Sequence, residues 1–307
     1  MTIKKVLRRI AAVTTEIPRI RYREGLESGF LDDYESAIES FDRVNYITVG
    51  SSYWTKQSQF YKACAYDELE QYDKAVEEFK KFLKHEKKDL GAWNNLGLVY
   101  LELDKFDDAL SCFKRVIELE SKQNDPDEEL LESAWVNKGD CIIDALLAST
   151  EEEDFEEKEF DELKQCVNEI LKINPESMDG LAMKTNLFWM EDDKLNEAVE
   201  NEKKCCKLYP DDWGCWNRLG TSYDAANNVD EALKSYEKAI KIKPDEDLPW
   251  YNKACTLSKM NKIDDALDAL LVAISIAPEN LLELSEESDF DNIKNSERFK
   301  KFLTIQI

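Results

Sequence analysis

The sequence predicts an all-α fold, a stack of antiparallel helix pairs, and three observations carry that prediction. Apolar residues recur at helical spacing in paired runs, the signature of amphipathic helices. The paired runs repeat with a period of 34 residues. Only 9 glycines and 7 prolines occur in 307 residues, too little turn material for a β-rich or loop-rich chain.

The clearest unit runs from Trp216 to Pro244. Trp216, Leu219, Gly220 and Tyr223 form its first helical run, and Val229, Ala232, Leu233, Tyr236, Ala239 and Ile240 its second. Gly220, Ala232 and Ala239 are small, so the paired helices can approach closely there, while the large side chains fill the spaces between. Pro244 lacks an N–H and ends the second helix. Shifting the register by 34 residues places Trp250, Ala254, Leu257, Ala266, Leu270, Ala273 and Pro278 in the same slots, and Ala182, Asn186, Trp189, Ala198, Cys205 and Pro210 on the other side. Trp93, Leu96, Gly97, Tyr100, Ala109 and Phe113 repeat the pattern upstream, preceded by Ala63, Tyr66, Ala75 and Phe79.

On these residues the chain resembles the tetratricopeptide-repeat family over about residues 18–280. The resemblance implies a right-handed superhelical solenoid of about seven units, beginning near 18, 56, 90, 132, 179, 213 and 247 and written 18–51, 56–89, 90–123, 132–178, 179–212, 213–246 and 247–280. One hairpin cannot bury its whole apolar face, so neighbouring hairpins complete each other's core. The first unit is the weakest, with Gly25, Tyr34, Ala37, Phe41 and Val44 in register but no aromatic in the leading slot. Tyr53 and Trp54 read as part of a short insertion before the second. Residues 1–17 form a basic N-terminal element whose Ile3, Val6, Leu7, Ile10 and Val13 make an apolar helical stripe. It packs on the solenoid end or a second copy, or lies on an anionic surface. Residues 281–307 resemble the family's terminal cap, in Asp289, Phe290, Asp291, Ile293, Arg298 and Phe299.

The fourth unit departs from the period. Trp135 and Gly139 belong to its first helix and Leu163, Val167, Ile170 and Pro175 to its second, about 12 residues further apart than usual. Ile142, Ile143, Leu146 and Leu147 continue the helical spacing, and Thr150 with Glu153 makes a capping box for a new helix. Both helices are therefore expected to lengthen by about six residues, projecting the hairpin by roughly 9 Å. Pro126 suits an early start of the first helix. The acidic stretch Glu151–Glu162 has two readings, a binding element for a basic partner or cation and a solvated helix surface.

Composition bounds the function. No window approaches a membrane span and no signal-peptide pattern opens the chain, so a soluble cytoplasmic protein is expected. The eight cysteines form no C-x-x-C pair and His85 is the only histidine, so no metal or cofactor site is expected and the thiols read as small apolar residues. A net charge of −25 disfavours nucleic acid as a partner. One histidine, no phosphate-binding loop and no nucleophile motif argue against an enzyme.

In the family the first helices of successive repeats line a concave groove that holds extended peptides. The slot two residues after the tryptophan carries Arg23, Tyr61, Asn95, Asn137, Lys184, Arg218 and Asn252, and the adjacent slot carries Asn94, Asn217 and Tyr251. The candidate peptide-binding residues are Asn94, Asn95, Asn137, Lys184, Arg218, Tyr251 and Asn252. Amides can donate to a peptide carbonyl and accept from its N–H, and Lys184 and Arg218 add positive charge for a carboxylate. Met183, Leu187 and Met190 are expected to offer an apolar patch. Their solvated-surface reading stays open. The resemblance implies a protein-interaction scaffold with a protein or peptide partner; the alternative is a solenoid that self-associates through its groove or N-terminal helix.

Overall fold

The computed structural model describes residues 22–47, 53–148, 157–278, 290 and 296–299. Every regular element among them is helical. The N-terminal stripe, the Thr150–Glu153 capping box, most of the acidic stretch and most of the terminal cap lie outside the described residues.

The chain divides into two units, Met1–Ile173 and Asn174–Ile307. In the first, α1 (22–29) leads to α2 (Tyr34–Ile47), α3 (Tyr53–Glu68), α4 (Tyr72–His85), α5 (Leu90–Leu101), α6 (Phe106–Glu120), α7 (Glu128–Ala148) and α8 (Glu157–Ile173). The second holds α9 (Met178–Trp189), α10 (Leu195–Leu208), α11 (Trp213–Ala225), α12 (Val229–Ile242), α13 (Asp247–Lys259) and α14 (Ile263–Ile276). Within each unit every helix packs on its chain neighbour, so hairpin stacks on hairpin. One continuous core in the first unit joins Phe79, Phe82, Leu96, Tyr100, Phe113 and Cys141.

The period has a local cause at three recurring positions. Where the first helix of a pair turns into the second, Asp32, Glu70, Asp104, Asn227 and Asn261 adopt left-handed backbone with φ between 53° and 59°. The next N–H then reaches back five residues, as in Gln71 to Tyr66, Lys105 to Tyr100 and Lys262 to Leu257, closing a Schellman motif. Where one pair passes to the next, Asp89, Asp212 and Ser177 cap the following helix by accepting from the N–H of Ala92, Cys215 and Gly180. The tryptophan indole closes the same turn. Trp93 donates to the carbonyl of Lys87 at 3.0 Å, Trp216 to Pro210 at 2.9 Å and Trp250 to Pro244 at 3.2 Å. A large ring with one donor suits a slot half in the core and half at a turn.

Two sequence expectations change. Tyr53 and Trp54 form the first turn of α3 instead of an insertion, and Trp54 packs on Tyr22 at 5.2 Å. Helix α7 is long, 21 residues against 12 in α5 and 13 in α11, but it gains four of them before position 132. Pro126 does not begin it. The helix opens at Glu128, with Asp127 accepting from the Leu130 N–H at 3.1 Å. Helix α8 resumes at Glu157, and Lys138, almost fully buried, pairs with Glu162 at 3.3 Å while Lys114 reaches the same carboxylate at 3.0 Å. The end of the acidic stretch thus neutralises an interior lysine. The described cap residues seal the last hairpin: Phe290 and Phe299 are buried on α13 and α14, and Arg298 pairs with Asp264 and Asp268.

Three glycines lie beneath the aromatic ring of the partner helix, Gly25 under Phe41, Gly97 under Phe113 and Gly220 under Tyr236. A methyl group at Gly97 would sit 2.6 Å from a Phe113 ring carbon, whereas one at Gly29 would meet nothing. Gly97→Ala is therefore expected to cost about 1–3 kcal/mol through overpacking. Gly29→Ala is expected to be neutral or to stabilise by up to about 1 kcal/mol. Thermal melts followed by circular dichroism check both; equal losses at the two sites would contradict the packing argument.

Candidate peptide-binding face

The candidate residues sit on the first helix of each pair because that helix buries its tryptophan, leucine and glycine slots toward the second helix, turning the intervening positions outward; Asn217, in the slot beside Trp216, is nonetheless buried. The slot adjacent to the tryptophan in one repeat meets the next slot along in the following repeat. Asn137 donates its amide to Asn94 at 2.8 Å across α5 and α7, and Asn252 donates to Asn217 at 3.1 Å across α11 and α13. Asn95 points toward the Cys64 sulfur at 3.8 Å. The bonds consume one donor and one acceptor site of each pair. An asparagine amide has two donors and two acceptor lone pairs, so capacity for a ligand remains. Tyr61 stacks at the end of the first unit's face, 6.3 Å from Phe41 and 5.9 Å from Tyr22.

The remaining candidates are engaged elsewhere. Tyr251 packs edge-on against Phe290 of the cap at 5.5 Å. Lys184 lies over the Phe188 ring at 5.6 Å. Met183 and Leu187 are buried in the core, leaving Met190 as the exposed member of the expected apolar patch. Their side chains fall on the inner face of α9, where the helix meets α10.

Arg218 turns inward. Its Nε pairs with Glu202 at 3.2 Å, and one terminal nitrogen lies 3.5 and 3.4 Å from the Cys205 and Cys215 sulfurs, themselves 2.7 Å apart. Glu202 has no solvent exposure, and it also accepts from Thr185 at 2.7 Å; Asn201 donates to Thr185 and to the Leu181 carbonyl. Burial pushes the Glu202 carboxyl above the usual range, and Arg218 and Thr185 pull against it. The sequence reading missed this network. Its one signal was Glu202 in the slot where other repeats hold Phe79, Phe113 or Tyr236, a carboxylate that demands a cation. Of the other thiols, Cys112, Cys141, Cys166 and Cys206 are buried and Cys64 is half-buried; burial pushes Cys64, Cys112, Cys141 and Cys206 up to about 12 and Cys166 to about 11. Among the described residues no cluster of histidine, cysteine, aspartate and glutamate suits a metal ion, and no helix is long and apolar enough to cross a membrane.

Tetratricopeptide repeat profiles match residues 57–88, 91–123, 214–246 and 235–268; two of these segments, 91–123 and 214–246, hold both an indole donor and a glycine–ring contact. The chain is a tetratricopeptide-repeat protein. A tetratricopeptide repeat protein from Parabacteroides merdae ATCC 43184 shares its fold at a TM-score of 0.68 and 14% identity, over 95% of this chain and 99% of that one. TTC0263, a thermophilic TPR protein in Thermus thermophilus, is 18% identical over 66% of this chain and 98% of its own, with a TM-score of 0.49. YrrB, described as a TPR protein with an unusual peptide-binding site, is 19% identical over 68% of this chain and 96% of its own, with a TM-score of 0.43. No curated protein sequence matches this chain.

Truncating Arg218 strands a buried carboxylate, so Arg218→Ala is expected to destabilise the second unit by about 3–5 kcal/mol at neutral pH. Glu202, with its folded pKa already raised, then binds its proton more tightly still. A raised carboxyl stabilises the fold below its unfolded pKa and loses that contribution as pH rises through the folded value. The deficit of the variant should therefore shrink as pH falls toward the ordinary glutamate range. Denaturant melts of wild type and variant from about pH 7.5 to 5 measure it; a deficit that is constant with pH would contradict the role given to Glu202.

Proposed function

We propose that the chain is a non-enzymatic protein-interaction scaffold that holds an extended segment of a partner along the first-helix face of its repeats. The observation that carries this reading is the repeated amide pair. Asn94 with Asn137, and Asn217 with Asn252, occupy the same slots in the two units and hold each other in fixed orientation. The half-buried members, Asn94, Asn137 and Asn252, keep donors and acceptors for a ligand, and their bracing lowers the ordering penalty of gripping a peptide backbone. Asn95 adds to this face in the first unit; in the second, Lys184 stands on a first helix against Phe188, and Arg218 and Tyr251 contribute mainly to rigidity. Each lost amide contact is worth about 0.5–1.5 kcal/mol, so Asn94→Ala with Asn137→Ala is expected to weaken partner capture roughly fivefold or more. Pull-down from the source organism with wild type and the double variant, each verified as folded, checks this. Equal recovery of the same partner would remove the assignment.

Self-association is the second reading, favoured by one observation. Phe30 and Leu31, side by side at the turn between α1 and α2, are 87% and 80% exposed, an apolar spot of the kind a second copy covers. Light scattering of full-length protein, Phe30→Ser with Leu31→Ser, and residues 14–307 tests it. A dimer lost in the variant is the expected outcome of that reading, and a strictly monomeric full-length protein rules it out.

A further inference from the structure

The same pocket is built three times on the opposite side of the repeat pattern. The second helix of one pair and the hairpin that follows line it as an open hollow, and Trp93, Trp216 and Trp250 stand at equivalent places in its wall. Geometry is thus held nearly constant while the charge changes. Around Trp250 the acids Glu237, Asp265 and Asp268 outnumber the two lysines, and Lys253 is paired with Glu237. Around Trp216 three lysines, Lys203, Lys207 and Lys234, line the pocket with the acid Glu231, and two of them, Lys203 and Lys234, are paired with Glu200 and Glu231.

Around Trp93 the basic excess is the largest of the three, and most of it is left unpaired. The pocket between α4, α5 and α6 has a volume of about 560 Å³ against about 360 and 470 Å³ for the others. Trp93, Tyr100 and Leu83 make an apolar floor, and Lys80, Lys84, Lys87 and Arg115 stand at its rim against the single acid Asp108. Arg115 pairs with Glu118. Lys80, Lys84 and Lys87 are exposed and make no ion pair among the described residues; Lys80 lies over the Tyr100 ring at 5.3 Å. Three unneutralised lysines around an apolar hollow are conspicuous in a chain of net charge −25. Such a site is complementary to carboxylates flanking a hydrophobic side chain, with the volume of an ordinary ligand pocket. A polyphosphate backbone or an anionic bilayer would use the charge but not the hollow, and would meet repulsion from the remaining surface.

We propose that the pocket floored by Trp93 and rimmed by Lys80, Lys84 and Lys87 docks an acidic segment of a partner protein, inserting one aromatic or aliphatic side chain between its carboxylates. This surface is separate from the amide-bearing face, so the two readings stand or fall independently.

The test is fluorescence anisotropy with a labelled peptide of sequence Glu-Asp-Glu-Phe-Glu-Asp-Glu, alongside a serine-for-phenylalanine version, polyuridylate and phosphatidylserine vesicles. The peptide is expected to bind the full chain, weakening as salt screens the lysines. Lys84→Glu with Lys87→Glu is expected to weaken it roughly tenfold or more, with an unchanged circular dichroism spectrum because both side chains are exposed. The serine peptide should also bind less well, while Lys207→Glu at the equivalent pocket and Asn94→Ala with Asn137→Ala should leave binding intact. No measurable binding, equal binding by the reversed variant, or indifference to the phenylalanine would overturn the proposal. Preferential binding of polyuridylate or vesicles through Lys84 and Lys87 would overturn it, as would self-association abolished by the same reversal. Loss of the peptide in the asparagine variant alone would move its site to the first-helix face, overturning this proposal without touching the other.

Discussion

Where the two helices of a repeat cross, a ring from one occupies the hollow left by a missing side chain on the other. Phe113 over Gly97, Tyr236 over Gly220 and Phe41 over Gly25 bring the backbones close enough that no methyl group fits between them. Interiors packed at this density leave few alternative arrangements. The contact sets the spacing of these three hairpins, and with it the direction in which the outer positions of their first helices point. The apolar edges that remain are buried by the next hairpin, so a local steric fit propagates into a stack.

The polar groups of the stack are satisfied by equally local means. Left-handed residues at Glu70, Asp104, Asn227 and Asn261 recover the helix-end carbonyls, and the indoles of Trp93, Trp216 and Trp250 close the turns between pairs. Because these bonds stay within short sequence spans, the surface is free to vary. The two units exploit that freedom differently. The first carries a buried lysine, Lys138, neutralised by Glu162, and the second a buried glutamate, Glu202, neutralised by Arg218. Each is a specific polar contact inside an otherwise apolar seam, and each restricts which helix can be its neighbour.

Two faces with different chemistry result. Braced amides on the first helices suit a peptide backbone, which is the same for every sequence. The lysine-rimmed hollow around Trp93 has the charge and apolar floor that the proposed acidic segment would need. A scaffold with both would separate grip from selection, general hydrogen bonding on one side and charge on the other.

The period, the helix pairs, the glycine slots and the largely buried cysteines were all legible in the sequence, because each depends on residues at most a few turns apart. The slot assignment likewise placed Asn94, Asn95, Asn137 and Asn252 on one helix type. What linear spacing could not show was which outward positions are consumed by neighbours. Arg218 stands in a groove slot yet is drawn inward by Glu202, 16 residues earlier. Tyr251 is covered by Phe290, and Met183 and Leu187 turn into the core. Nor did the sequence reading separate Lys80, Lys84 and Lys87 from the many lysines that pair with nearby acids. Helical periodicity determines the face a residue takes on its own helix. Only the packing of other helices against that face decides whether its charge is spent within the fold or left for a partner.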